Sequence, residues 1–162
     1  KLDAVEQLVK AGVPPNQIII NNEPKILEKF PLGGVQFPER ANIQVYHRRD
    51  WRLGSSVHDD AVAKEKEAAG ADYLFYGHVY ETRSKPGLPA RGISHLKNVA
   101  ESVSCPVIAI GGITPERVAS CIAAGASGVA VLSGIYEADD PTGRAEAYRL
   151  ALKKEEKHEE KL

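Results

Sequence analysis

Short apolar runs alternate with helix-spaced segments along nearly the whole chain, and this alternation leaves few folds open. Six runs have strand character: 18–20, 35–37, 51–57, 73–79, 106–110 and 128–132. The triplet Ile18-Ile19-Ile20 predicts a strand buried on both faces. The aromatic-rich run at 73–79 suits a strand as well. Leu2, Val5, Leu8 and Val9 recur at spacings of three and four, which predicts a helix over 2–11 stopped by Gly12, Pro14 and Pro15. A short helix is expected over 23–30, beginning near Pro24. Asp59 is placed to cap a helix over 60–69 that Gly70 closes. Further helices are expected over 93–102, from Thr114-Pro115 to Gly125, and over 140–154. The stretch 39–50 reads as a charged loop with room for one turn of helix.

Strands alternating with helices over short connections imply an α/β domain with a parallel sheet covered by helices. Six units in 162 residues give about 27 residues each, near the ~31 of a ~250-residue eight-fold barrel. The chain contains no Met and begins inside a helical pattern. Together these features favour a (β/α)8 TIM barrel with its first two strands missing from this chain. Residues 1–154 then form a single barrel domain (strands three to eight), and 155–162 a charged C-terminal tail. An open six-stranded doubly wound sheet is the alternative. An incomplete barrel exposes two strand edges and an apolar interior, which invites association into a homo-oligomer.

Charge and composition narrow the partners. Lys and Arg total 21 against 22 Asp and Glu, so bulk charge gives no nucleic-acid-binding surface. The one local basic cluster, His47-Arg48-Arg49 with Arg52 beside Trp51, reads as a solvated loop. No apolar run approaches the ~18–20 residues of a membrane helix, and no signal peptide is visible. Cys105 and Cys121 form no CxxC motif, so no disulfide framework or zinc site is expected and a cytoplasmic location is the default.

In parallel α/β architectures ligands bind beyond the carboxyl ends of the strands. Those ends are polar or glycine-rich here: Asn21-Asn22, Ser56, Gly77-His78, Gly111-Gly112 and Leu132-Ser133-Gly134. Gly111-Gly112 lets backbone approach an anion ahead of a capped helix, and the loops after the last two barrel strands often hold phosphate. The pair of segments therefore points to a phosphorylated ligand, with ordinary turn chemistry as the competing reading. The absence of GxxxxGK[ST] disfavours a nucleoside triphosphatase. His78 at a strand tip is either a general acid or base or a hydrogen-bonded core histidine. Thr82, Ser84 and Lys85 are candidate anion contacts, and Asn21 a candidate hydrogen-bonding residue. Glu81 is a weaker acid/base candidate. For His58 capping or packing is as good a reading as catalysis. His95 and His158 are assigned no role.

The block Tyr76-Gly77-His78-Val79-Tyr80-Glu81-Thr82, followed by Lys85-Pro86-Gly87-Leu88 and Arg91-Gly92, resembles the thiazole tautomerase (TenI) family of the thiamin phosphate synthase superfamily. The segments Leu53 to His58, Ala109 to Glu116 and Gly128 to Ile135 match in order and spacing. The resemblance implies a (β/α)8 barrel and an isomerase of thiamin biosynthesis that aromatises a thiazole carboxylate phosphate by proton transfer. It implies His78 as the proton shuttle, phosphate held by Gly111, Gly112 and Ser133, charge from Lys85, and no metal or organic cofactor. Synthases of this superfamily typically carry Asn-Asp after strand three, the Asp helping to bind magnesium; this chain has Asn21-Asn22. Thr82-x-Ser84-Lys85 nevertheless partly retains the synthase pattern Thr-x-Thr-Lys. Thiamin phosphate synthase, or a non-catalytic phosphate-ligand-binding regulatory protein, is the alternative.

Overall fold

A computed structural model describes residues 1–46 and 50–159. His47-Arg48-Arg49 lies outside the described residues, as does the end of the charged tail. Six parallel strands form one sheet in strictly sequential order: β1 (Ile19–Asn21), β2 (Gly34–Phe37), β3 (Arg52–Val57), β4 (Tyr73–Gly77), β5 (Val107–Ile110) and β6 (Gly128–Ala130). A doubly wound sheet reverses its strand order at a switch point. This sheet does not, so every crossover runs the same way and the helices share one side. The result is a curled six-stranded half-barrel. β1 and β6 are its two edges, so the six strands expected of this chain form an open half-barrel and, among the described residues, no closed (β/α)8 barrel.

The helices are α1 (Leu2–Lys10), α2 (Asp60–Ala68), α3 (Ile93–Ser102), α4 (Val118–Ala123), α5 (Ser133–Tyr136) and α6 (Pro141–Glu159). Asp59 caps α2 as its spacing predicts, its carboxylate accepting from the Val62 N–H at 2.8 Å. Consecutive helices α2, α3 and α4 pack side by side on the sheet, and α6 packs on α4. The segment expected to be a helix over 23–30 is a 3₁₀ turn at Pro24–Glu28. Thr114 makes no side-chain cap; a 3₁₀ turn, Pro115–Arg117, precedes α4. The last strand stops at Ala130, and Ser133 opens α5 instead of ending the strand. α6 continues past its expected end at 154.

The strand register divides the side chains between two faces. Val35, Leu53, Leu74, Tyr76, Val107 and Ala109 point to the helices and are all but fully buried. Tyr73, Phe75, Ile108 and Ile110 point the other way and line a concave trough that also holds Asn21 and Gln36. The Ile18–Ile20 triplet follows this division. Ile20 is buried, but Ile19 on the concave face is 37% exposed, which corrects the two-sided burial read from the sequence. A second apolar cluster, Val5, Ile18, Ile20, Ile26 and Leu32, ties α1 to β1.

Leu74 is fully buried in the middle of the helix-facing core. Leu74→Ala should destabilise the fold by about 2–5 kcal/mol, read as a lower denaturant midpoint with an unchanged slope.

Candidate active site

At the carboxyl ends of β3 to β6 the chain surrounds a cleft of about 690 Å³. Ser56, Gly77-His78, Thr82, Ser84, Lys85, Gly111-Gly112 and Leu132-Ser133-Gly134 all line it. Asn21 does not; it faces the concave trough, and Ser56 borders both spaces. Among the predicted site residues it alone is left out.

One wall is built by an unusually close approach of two backbones. Beyond β4 the chain keeps bonding to the end of β5: the Val79 N–H donates to the Ile110 carbonyl at 3.0 Å and the Tyr80 N–H to the Gly111 carbonyl at 3.1 Å. A Cβ on Gly111 would run into the Cα and Cβ of His78, and one on Gly112 into the Glu81 carbonyl and Tyr80. Both glycines also sit at positive φ, 97° and 64°, where other residues are strained. The two glycines thus have a steric reason to be there, independent of any ligand.

His78 lies in this wall and is only 5% exposed. Its Nε2 faces the Leu88 carbonyl at 3.3 Å, and its Nδ1 is buried without a partner among the described residues. The imidazole therefore ties the loop 81–92 to the end of β4. The Arg91 and Gly92 N–H groups reinforce that tie by donating to the His78 and Val79 carbonyls. Tyr76 has a buried hydroxyl with no partner among the described residues, and burial pushes its phenol above the ordinary value.

Several lining groups escaped the sequence reading. Arg117 donates to the Gly112 carbonyl at 2.6 Å and lies 4.4 Å above the Tyr80 ring. It thereby fastens the glycine turn to the loop after β4. Arg144 and Tyr148 arrive from α6. The buried Tyr148 hydroxyl donates to the Ile113 carbonyl at 2.8 Å, and its oxygen would meet a Cβ on Gly134 at 2.6 Å. One side chain thus touches both glycine-bearing turns. Position in the first turn after Gly111-Gly112 was a usable signal for Arg117; nothing in the spacing marks Arg144 or Tyr148, which only the packing of α6 brings in. His58 also reaches the cleft, its Nδ1 2.6 Å from Glu39 Oε2.

Arg83, Lys85, Arg117 and Arg144 line the cleft against Glu81 and Glu137. A chain of net charge −1 thus concentrates positive charge at one place. A magnesium ion does not fit as the superfamily pattern would have it. Asn21-Asn22 supplies no carboxylate where that pattern has one, and Asn21 lies outside the cleft.

Residues 2–135 match the family described as thiamine monophosphate synthase (TMP-TENI). The chain belongs to this family. It is 37% identical over 138 residues to a thiamine-phosphate synthase of Natronomonas pharaonis, covering 81% of this chain and 63% of that protein. It is 33% identical over 155 residues to one of Bacillus velezensis, covering 90% and 66%. The chain therefore spans about two thirds of the length of these relatives. Its fold superposes on a thiamine phosphate pyrophosphorylase from Pyrococcus furiosus with a TM-score of 0.79 at 26% identity, covering 94% of this chain and 74% of the other. Relatives at 33–46% identity carry the synthase name. That finding overturns the expectation of a thiazole tautomerase and of an isomerase, and favours the synthase alternative. No helix among the described residues is long and apolar enough to cross a membrane.

Tyr148→Phe should cost about 0.5–1.5 kcal/mol, the net worth of one hydrogen bond, seen as a lower melting temperature. An unchanged melting temperature would show that the bond to Ile113 contributes nothing to stability.

Proposed function

We propose that the cleft is the phosphorylated-ligand site of a thiamine-phosphate synthase and that the chain carries this transferase chemistry in thiamin biosynthesis. The carrying observation is the convergence of two glycine-bearing turns with an excess of cations in one cleft at the carboxyl ends of the strands. In this reading the six strands are strands three to eight of an eight-stranded barrel.

A pyrophosphorylase reaction releases pyrophosphate, so its site must hold a highly anionic group and accept negative charge as the bond to it breaks. Oriented N–H groups and fixed cations do this without rearranging during the reaction. Backbone N–H groups of Gly111-Gly112 and Ser133-Gly134 hold a phosphate. The side chains of Thr82, Ser84 and Lys85 extend over it from the loop after β4. The Ser84 N–H bonds to Thr82 Oγ1 at 3.3 Å and the Lys85 N–H to the Thr82 carbonyl at 3.1 Å, so this turn is held before any ligand arrives. Ser56, between cleft and trough, contacts the organic half. His78 keeps the loop 81–92 in place over the ligand.

The test is formation of thiamin phosphate, with release of pyrophosphate, from the pyrimidine pyrophosphate and thiazole phosphate precursors. Lys85→Ala should lower kcat/KM by about ten- to a hundredfold, since a charge-assisted contact to the leaving group is worth about 1.5–3 kcal/mol. Failure of the folded chain to bind thiamin phosphate or pyrophosphate would overturn the proposal. Tight binding with no turnover would overturn its catalytic half and leave a phosphate-ligand-binding protein.

A further inference from the structure

The pair Glu39–His58 lies beyond the ends of β2 and β3, with His58 lining the cleft, and nothing in the phosphate reading uses it. His58 lies just beyond the end of β3 and Glu39 in the loop after β2. Their 2.6 Å contact joins Glu39 Oε2 to His58 Nδ1. A carboxylate only accepts hydrogen bonds, so Nδ1 carries a proton, and in the neutral imidazole the lone pair is then on Nε2.

Both members are anchored separately from each other. The loop bearing Glu39 is pinned by the buried Ile43 and by the buried Lys66, whose ammonium donates to the Ala41 carbonyl at 3.2 Å. On the other side, the Arg91 guanidinium donates to the His58 carbonyl at 3.2 Å, and the next residue, Asp59, caps α2. The short contact is thus imposed by two fixed backbones. A surface ion pair made only by flexible side chains would have no such support.

We propose that Glu39 is a positioning residue that fixes the tautomer of His58, and that His58 Nε2 accepts a hydrogen bond from an N–H donor on the heterocyclic half of the ligand. The proposal rests on the cleft being the ligand site. It assigns the anionic end of the ligand to the glycine turns and the nitrogen-bearing end to His58. The pair then reads which organic group accompanies the phosphate.

The experiment uses the full chain, with thiamin phosphate and inorganic pyrophosphate as the two ligands. Long-range proton–nitrogen NMR of the free protein should show His58 protonated at Nδ1 and bare at Nε2, and thiamin phosphate should move the Nε2 signal. Glu39→Gln, which can donate to Nδ1, should shift the proton toward Nε2 and weaken thiamin phosphate about tenfold, the scale of one hydrogen bond. Pyrophosphate affinity should not change. His58→Ala should match that loss, and His58→Gln, whose amide oxygen reaches toward the Nε2 position, should recover part of it. Melting curves confirm that each variant folds. A neutral His58 with its proton on Nε2 in the free protein overturns the proposal, as does equal weakening of both ligands or of neither. If the wild-type chain binds neither ligand, the phosphate-site reading fails and the ligand contact falls with it. A silent Nε2 signal in a chain that does bind thiamin phosphate refutes the His58 contact alone.

Discussion

The cleft depends on two backbones lying closer together than side chains allow. Residues 78–81 run against Gly111-Gly112, with the Val79 and Tyr80 N–H groups bonded to the Ile110 and Gly111 carbonyls, and the space a Cβ would need is already filled. This contact holds the loop after β4 over the site, because the same segment also receives the Arg91 and Gly92 N–H groups. Arg117 then closes the arrangement by joining the Gly112 carbonyl to the Tyr80 ring. A bulkier residue at either glycine would separate the loop from the turn, and the groups on both would lose their common frame.

The sheet supplies the platform for that frame. Sequential parallel pairing puts all crossovers on one side, so the helix-facing side chains are buried while the concave face stays open. The open trough and the cleft meet at Ser56, Phe75 and Ile110. The cationic end of the cleft therefore has a partly apolar surface next to it, as small-molecule sites generally do.

Much of this was legible in the sequence because it is written in local patterns. Strand runs, the Asp59 cap and the glycine turns each depend on neighbours within a few residues. What failed depended on longer range. The Ile triplet looks symmetrical in sequence, yet only one face of the sheet has helices to cover it. The strand at 128–132 ends early because Ser133 enters a helical turn under α6. Asn21 sits at a strand end like the others, but its strand lies at the far edge of the sheet from the cleft. Arg144 and Tyr148 could not be foreseen, since no spacing says where a last helix docks. The motif block around His78 does not fix the reaction: it describes how a loop is held, and one frame of this sort can serve more than one chemistry.

Charge makes the same point quantitatively. The four cations of the cleft come from the loop after β4, the turn after β5 and α6, separate stretches of a chain whose total charge is −1. Only folding concentrates them. Like charges brought together repel one another, and that repulsion is a standing cost to the empty protein. An anion removes the cost on binding, so the cleft gains more from a phosphate than the sum of its contacts with neutral groups would give. Screening by salt shortens the reach of this field to about 10 Å at 0.1 M ionic strength. Ionic strength should therefore act on the anionic end of a ligand and leave contacts to its neutral heterocycle almost untouched.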